Sequence, residues 1–233
     1  MMSPVKNLSI TFLIVLSINA FGQYKYGLQP MKLNGYLNEI KAHPEKELVD
    51  LEKAIPGIVL DIRYATTNNF TGEVIYTLAK AYARKPVAEA LSKVQVDLKK
   101  KGLELKIHDG YRPYSATVKF YEVYGDTTFV ASPYQGSRHN RGCALDLTLI
   151  DSKTKNEIKM PTPYDSFQEE AFPNFPLKDK EALKNRELLR TAMEKHGFKV
   201  YASEWWHFDF VGWEKFEVMD IDFEELTKNF RSK

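Results

Sequence analysis

The sequence predicts an α+β fold in which helices flank an antiparallel sheet. Segments with strand-like alternation and segments with helical spacing follow one another without a repeating strand–helix–strand rhythm, which disfavours a parallel sheet. Hydrophobic residues make up 43% and charged residues 27% of the 233 residues, an ordinary composition for a globular protein. The sequence contains no internal repeat and no low-complexity tract, so we predict one folded domain.

Residues 1–22 have the pattern of an export signal. Lys6 precedes an apolar stretch that is too short and too interrupted for a membrane span, and small residues stand near its end. We expect cleavage near Gly22/Gln23, which leaves residues 23–233 as a single periplasmic or secreted domain. The alternatives are a buried N-terminal helix or an uncleaved anchor. No later segment is apolar enough to insert stably into a membrane.

The first half of the predicted domain begins with a short helix and an extended arm over residues 23–55. The β-branched alternation from Ile58 to Tyr64 predicts a strand, and residues 68–72 are typical of a turn. Helical spacing predicts a helix over Pro86–Lys101, because proline suits the first turn and a glycine follows the last.

The middle of the chain continues with a predicted strand over Leu103–Ile107. Pro113 opens a second helix, and residues 125–142 form a loop rich in Gly, Ser and Thr. The apolar run from Cys143 to Ile150 predicts a buried strand.

The last third begins with a long connection over residues 151–176, which contains four prolines. A connection of this length more often carries a function than serves only as a linker. An amphipathic pattern predicts a helix over Lys178–His196, ended by a glycine. Residues 198–201 and 206–211 are typical of a pair of strands.

The composition also limits the function. A net charge of +2 argues against a dedicated nucleic-acid binder, which would carry a basic excess. The single cysteine excludes an intramolecular disulfide and a cysteine-based zinc finger. With five histidines in the chain, any transition-metal site must combine a few of them with carboxylates.

Two segments carry candidate chemistry: the run from Ser137 to Asp146, and Glu204-Trp205-Trp206-His207. A catalytic zinc takes three protein ligands and keeps one position open, and His139, Asp146 and His207 could be the three. In a flat strand, residues seven apart point to opposite faces, so the chain must turn between the first two, at Gly142.

Glu204 and His207 also differ by an odd number of residues, so a bend or bulge must bring them to one site. In that case Glu204 could act as general base. The ordinary alternatives are a surface or core histidine and, for Trp205 and Trp206, a role in the core. Asp146 within an apolar strand is harder to explain that way, because an unpaired buried charge is costly.

The pattern Ser-x-His-x-x-Gly-x-Ala-x-Asp, followed by Glu-Trp-Trp-His, resembles the zinc D,D-peptidases that share a fold with the Hedgehog signalling domain. Within them the chain is most similar to the D-alanyl-D-alanine dipeptidases of the VanX type. Four further segments carry the resemblance and span, with the two motifs, about residues 58–210: Tyr64-Ala65-Thr66, Asn69-Phe70-Thr71-Gly72, Asp109-Gly110-Tyr111-Arg112-Pro113 and Pro163-Tyr164-Asp165.

The resemblance implies one Zn²⁺ per chain, held by His139, Asp146 and His207. It implies Glu204 as the catalytic base and Arg112 as the residue that stabilises the developing oxyanion. A guanidinium suits that role because it stays charged and presents several donors. Without the resemblance, Arg112 would be read as part of a surface ion pair.

Four further residues match positions that line or order the substrate pocket of the family: Tyr64, Asp109, Ser137 and Asp165. A dipeptide carries a free ammonium, and Asp165 is the candidate to receive it. Ser137 could bond either terminus of the dipeptide.

Cys143 is a departure from the family, which often has another small residue there. Its thiolate could compete for zinc. Because it follows a glycine and starts a strand, we expect a small buried residue instead. His108 could lie behind the metal site, although a packed or solvated side chain is the simpler expectation.

The resemblance, together with the export pattern, implies an exported zinc dipeptidase that hydrolyses D-alanyl-D-alanine in cell-wall precursor or peptidoglycan turnover. One alternative is a D,D-carboxypeptidase or endopeptidase that acts on peptidoglycan stem peptides with the same zinc ligands. Another is a non-catalytic zinc-binding module, because the shared fold includes signalling domains. The sequence does not indicate an oligomeric state.

Overall fold

The computed structural model describes residues 25–231. The predicted export signal over residues 1–22 and its cleavage point lie outside the described residues. Within residues 25–231, no helix is long and apolar enough to cross a membrane.

Helices and strands are interspersed along the described chain, as predicted. The helices are α1 Leu33–Ala42, α2 Leu51–Ala54, α3 Lys85–Lys99, α4 Tyr114–Tyr124, α5 Lys180–Glu194 and α6 Phe223–Arg231. The strands are β1 Leu48–Asp50, β2 Val59–Leu60, β3 Tyr82–Arg84, β4 Leu103–Asp109, β5 Ala144–Asp151, β6 Phe198–Val200 and β7 His207–Phe210. The fold class is α+β, and the long connection over residues 151–176 contains only one short 3₁₀ turn, Glu169–Ala171.

The central sheet of the described chain has five strands in the order β2-β4-β5-β7-β6. All neighbouring pairs are antiparallel except β2 and β4, which run parallel, so the sheet is mixed rather than wholly antiparallel. The physical reason is the connection: parallel neighbours need a long crossover, and α3 lies in it. A smaller antiparallel pair is formed by β1 and β3.

The strand predicted from Ile58 to Tyr64 is much shorter in the structure. Only Val59 and Leu60 pair with β4, and a 3₁₀ turn follows at Arg63–Ala65. The turn buries Tyr64, and Tyr64 accepts two backbone hydrogen bonds on its carbonyl from Ile75 and Tyr76. The chain therefore leaves the sheet where the side chain of Tyr64 enters the core.

One continuous core lies between the sheet and the helices. Helix α3 buries one apolar face, which comprises Val87, Ala90, Leu91, Val94 and Leu98. Strand β5 is buried along almost its whole length, as its apolar sequence predicts. Helix α6 was not anticipated from the sequence, and it packs Phe223 against Tyr76 and Tyr82. The packing of this core thus holds strands β4, β5 and β7 in place.

Candidate metal centre and active site

Three neighbouring strands place three polar residues in one row across the sheet. Asp109 at the end of β4 lies opposite Asp146 on β5, and Asp146 lies opposite His207 at the start of β7. Directly opposite residues share one face of a sheet, so their side chains meet. A register shift between Ile107 and Asp109 makes this row possible, because regular pairing would place Asp109 opposite Leu145.

His139 reaches the same place from the segment before β5. It begins a 3₁₀ turn, His139–Arg141, that Gly142 ends in the left-handed region with φ of 69°. A Cβ atom at Gly142 would come within 2.7 Å of the Leu48 side chain, so the turn requires glycine for space as well as for backbone conformation. The predicted bend between His139 and Asp146 is therefore present at this glycine.

The three candidate ligand side chains converge on one small volume. Asp146 Oδ1 lies 3.3 Å from His139 Nε2 and 3.1 Å from His207 Nδ1. The two imidazole nitrogens are 3.1 Å apart. All three side chains are buried. The structure thus brings together the three residues that the sequence singled out as ligands.

Hydrogen bonds on the far side of each ring determine which nitrogen carries a lone pair. His139 Nδ1 lies 2.7 Å from the carbonyl oxygen of Gly110, and His207 Nε2 lies 2.9 Å from Asp209 Oδ1. These oxygens only accept, so the neutral rings carry hydrogen there and direct lone pairs at Asp146. Among the described residues, Asp146 Oδ1 has no hydrogen-bond partner.

Two imidazole lone pairs and a carboxylate oxygen that face one another in a buried site repel unless a cation lies between them. Nitrogen and carboxylate donors of this kind suit a transition metal such as zinc, and three protein ligands leave a coordination position open. The residues present therefore fit a catalytic metal ion.

The electrostatics of the site also favour positive charge. Burial lowers the pKa of His207, but the carboxylates of Asp209 and Asp146 outweigh it and raise this pKa well above 6.5, so a proton on Nδ1 and a metal ion compete for the same place beside Asp146. Burial raises the pKa of Asp146, yet the neighbouring His139 and His207 hold it well below its usual range. The carboxylate of Asp146 stays ionised beside the two rings.

Glu204 lies beside the candidate metal centre. Its Oε2 atom is 3.4 Å from His207 Nδ1, and the backbone N–H of His207 donates to the Glu204 carbonyl at 3.4 Å. The tight turn that this bond closes is the predicted bend. Burial raises the pKa of Glu204 to about 8, so its carboxyl group is poised to exchange a proton near neutral pH.

Arg112 enters the pocket from the segment after β4. Its Nε and Nη2 atoms each lie 2.9 Å from Asp109 Oδ2, and its guanidinium lies 4.8 Å from the centre of the Phe120 ring. Burial lowers the pKa of Arg112, but Asp109 and neighbouring tyrosines outweigh it, so the group remains a cation. The backbone N–H of Arg112 also donates to the carbonyl of His139 at 3.0 Å, which couples the two segments.

Three of the four predicted substrate contacts line the pocket, and the fourth lies behind one of its walls. Tyr64, Ser137 and Asp165 line the same pocket as the candidate ligands. Asp109 lies behind Arg112 and accepts hydrogen bonds from it, from Tyr76 and from the backbone N–H of Gly110, so it orders the pocket rather than lining it.

Asp165 accepts from the Tyr64 hydroxyl at 3.0 Å and has a left-handed backbone with φ of 60°. Burial and then the charge of Asp146 raise its pKa to about 8. A positively charged group that bound there would relieve this unfavourable charge. Ser137 accepts the backbone N–H of His139 at 3.1 Å on its Oγ atom, which leaves its own hydrogen to donate.

Sequence reasoning missed several residues of the site. Asp209 was not singled out, although alternation in a strand places it on the same face as His207, two residues earlier. Phe129 and Phe167 were also missed. They come from the two long loops, line the pocket and stack with ring centres 5.1 Å apart. Loop residues carry no periodic signal that could have identified them.

Two other candidate ligands lie elsewhere. Cys143 is buried outside the ligand group, and burial raises the pKa of its thiol to about 12, as expected for a small packed residue. His108 forms a second group with Asp61 and Glu157, but the ammonium of Lys106 lies 2.9 Å from Glu157 and 3.6 Å from Asp61. A lysine therefore already supplies the positive charge there.

Comparison with known proteins places this geometry in context. The Peptidase_M15 family model, described as D-ala-D-ala dipeptidase, matches residues 44–225. A D-alanyl-D-alanine dipeptidase of Escherichia coli strain K12 is 36% identical over 163 residues, which cover 70% of this chain and 84% of that protein. A D-alanyl-D-alanine dipeptidase of Enterococcus faecalis strain V583 is 29% identical over 72% of this chain and 93% of its own length. A solved structure, VanYB in complex with D-Alanine-D-Alanine, has a TM-score of only 0.38 at 15% identity, over 58% of this chain and 75% of that one.

Proposed function

The chain belongs to the Peptidase_M15 family of D-Ala-D-Ala dipeptidases and is a metallopeptidase, and on that premise we propose that it hydrolyses D-alanyl-D-alanine to two D-alanines with one bound Zn²⁺. The observation that carries this proposal is the convergence of three ligand atoms with a carboxyl group and a guanidinium in one pocket. His139, Asp146 and His207 would hold the zinc, and Glu204 and Arg112 line the same pocket.

When bound, zinc would polarise the scissile carbonyl and make the attacking water more acidic. Glu204 takes the proton from that water and later delivers it to the amine that leaves. Burial raises the pKa of Glu204 above its ordinary value, which makes its carboxylate a stronger base.

Arg112 stabilises the negative charge that develops on the carbonyl oxygen. Asp109 holds the guanidinium by two contacts to one oxygen atom, so the remaining N–H groups are oriented before the substrate binds. Preorganised donors of this kind need no rearrangement as the charge develops, which is why we assign Arg112 to the transition state.

The two ends of the dipeptide need partners of opposite character. Asp165 receives the ammonium, since its carboxylate is disfavoured without a positive neighbour. Tyr64 holds Asp165 in place through its hydroxyl group. Ser137 donates its hydroxyl hydrogen to the substrate at the metal side of the pocket.

The pocket favours a free dipeptide over a polymeric substrate. The stacked rings of Phe129 and Phe167 are part of its lining and limit the space available to a substrate. A D,D-carboxypeptidase or endopeptidase would have to accommodate the rest of a stem peptide beyond the ammonium position, where Asp165 lies. A charged ammonium satisfies this carboxylate, whereas an amide does not.

The test is a hydrolysis assay with three substrates: D-alanyl-D-alanine, its N-acetyl derivative and a pentapeptide stem. We expect cleavage of the free dipeptide alone, loss of activity with a chelator and recovery with Zn²⁺. Preferential cleavage of the pentapeptide would favour the carboxypeptidase, and one equivalent of bound zinc without hydrolysis of any D,D-peptide would favour a binding module.

The cellular role that we propose is turnover of cell-wall precursors or peptidoglycan after export. Its support is the export pattern of residues 1–22. N-terminal sequencing of the protein recovered from outside the cytoplasm should give Gln23 as the first residue. Recovery of the full-length chain in the cytoplasm would contradict the proposal.

A further inference from the structure

The two oxygen atoms of Asp146 have different surroundings. Oδ1 lies 3.3 Å from the imidazole nitrogen of His139 and 3.1 Å from that of His207. Oδ2 accepts a hydrogen bond from the hydroxyl of Tyr164 at 3.1 Å, and Arg112 Nη2 is 3.7 Å away. A carboxylate held in this way presents a single oxygen to a metal ion.

The hydroxyl of Tyr164 has one hydrogen and two oxygen atoms within reach. Besides Asp146 Oδ2, the hydroxyl oxygen of Tyr64 lies 3.2 Å away. Tyr64 directs its own hydrogen to Asp165 at 3.0 Å. An ionised carboxylate is a stronger acceptor than a phenol, so the hydrogen of Tyr164 belongs on Asp146. A phenol keeps its hydrogen at neutral pH, so the hydroxyl of Tyr164 donates to Asp146.

Packing fixes the ring that carries this hydroxyl. His108 stacks on Tyr164 with ring centres 4.4 Å apart and planes at 15°, and Trp206 meets it edge-on at 5.7 Å. Burial lowers the pKa of His108, so a neutral imidazole covers the ring. The position of the hydroxyl is therefore set by the core and not by its hydrogen bond.

The other two candidate ligands each have a comparable partner. The Gly110 carbonyl orients His139, and the Asp209 carboxylate orients His207. Tyr164 is the corresponding group for Asp146, but it comes from the long connection over residues 151–176, which also supplies Asp165. One loop thus contacts both the metal end and the ammonium end of the pocket.

We propose that Tyr164 is a positioning residue for the metal: its hydroxyl holds Asp146 Oδ2 so that Oδ1 is presented to the ion with a single orientation. This rests on the proposed zinc site, and its readout is metal affinity rather than turnover. Partners that orient metal ligands typically contribute about 10- to 100-fold in metal affinity, so removal of the hydroxyl should weaken zinc binding by about that factor.

The experiment compares Tyr164→Phe with Tyr64→Phe in the full chain. Each variant loses one phenol hydroxyl, and the two hydroxyl oxygens lie 3.2 Å apart, but only Tyr164 bonds to Asp146, whereas Tyr64 bonds to Asp165. Zinc affinity is measured by competition with a chromogenic chelator, and the visible spectrum of the Co²⁺-substituted protein reports the geometry of the site. Thermal unfolding of the metal-free proteins checks that both variants fold.

We expect weaker zinc binding and an altered cobalt spectrum for Tyr164→Phe, with zinc affinity unchanged for Tyr64→Phe. Equal loss in both variants, or wild-type affinity in Tyr164→Phe, would overturn the proposal whatever happens to activity. A wild-type protein that binds no zinc would overturn both this proposal and the zinc site. If zinc binds as expected and no D,D-peptide is hydrolysed, only the proposed activity fails.

Discussion

His207 lies directly opposite Asp146 on the neighbouring strand, with its Nδ1 atom 3.1 Å from Asp146 Oδ1. The hydrogen bond that His207 Nε2 makes to Asp209 directs the Nδ1 lone pair at this oxygen. The pair therefore marks the end of the pocket where the candidate metal ion would bind. The carboxyl group of Glu204 and the guanidinium of Arg112 line the same pocket. Each group leads to a separate prediction.

Metal binding should stabilise the folded protein. Zinc that binds only the native state adds free energy of unfolding, about 2.7 kcal/mol when its concentration is 100 times the dissociation constant. His139→Ala should abolish this zinc-dependent rise in the unfolding temperature, measured by calorimetry. His43→Ala is the matched control, because His43 is an exposed histidine outside the ligand group, and it should keep the full rise. A zinc effect that survives in His139→Ala would refute the ligand assignment.

Removal of the base should affect turnover and spare the metal. Glu204→Gln keeps the size of the side chain but cannot accept a proton, so kcat should fall by about 10²- to 10⁴-fold while zinc content stays at the wild-type level. The measurements are steady-state kinetics and metal analysis of the same preparation. Glu170→Gln changes an exposed glutamate and should leave both unchanged. Normal turnover in Glu204→Gln would exclude the assigned role.

Arg112 should act mainly in the transition state. Arg112→Lys keeps a positive charge but loses the planar fork that Asp109 orients, and we expect kcat to fall by about 10²- to 10³-fold with a smaller change in KM. The readout is the full dependence of rate on substrate concentration. Arg190→Lys, on the partly exposed outer face of α5, is the control. A change confined to KM would assign Arg112 to ground-state binding instead.

The carboxyl group of Asp165 should make the free energy of unfolding fall as the pH rises. Its pKa is about 8 in the folded protein and close to 3.8 in the unfolded chain, so the folded state binds its proton more tightly. Between these two values the free energy of unfolding therefore falls with pH, by at most about 1.4 kcal/mol per pH unit from this group.

Asp165→Asn removes that penalty. The free energy of unfolding of this variant, measured with urea, should exceed that of the wild type. The difference should grow from pH 5 to pH 8 and then level off. Asp222→Asn, which changes an exposed aspartate outside the pocket, is the control. A pH-independent difference between Asp165→Asn and the wild type would contradict the assigned environment.

The stacked rings of Phe129 and Phe167 should control the length of substrate that is cleaved. Phe129→Ala together with Phe167→Ala opens the stacked pair, so cleavage of a pentapeptide stem should rise relative to cleavage of the free dipeptide. The measured quantity is the ratio of the two kcat/KM values, which cancels any shared loss of activity. Val123→Ala, an exposed apolar residue on α4, is the control. An unchanged ratio would indicate that Asp165, and not the stacked pair, discriminates the substrates.

Local patterns accounted for most of the elements and for the content of the site. Helices α3, α4 and α5 and strands β4 to β7 lie close to their predicted bounds, because hydrophobic periodicity within each segment reflects which face is buried. The bends at Gly142 and before His207 were predicted from the number of residues that separate the paired side chains. In a flat strand, two side chains an odd number of residues apart lie on opposite faces. Strand β2 was overestimated and α6 was missed, because tertiary packing decides whether short segments join the sheet or fold against it.

By itself, the sequence determined the fold class, the identity of the candidate ligands and the family resemblance, because these depend on residue type and on spacing within short segments. Only the tertiary structure decided how the pieces meet. The register shift before Asp109 aligns three strands so that Asp109, Asp146 and His207 form one row. The loop after β5 returns Tyr164 to Asp146 and Asp165 to Tyr64. Such contacts join segments distant in the chain, and their geometry is set by packing, which no local pattern encodes.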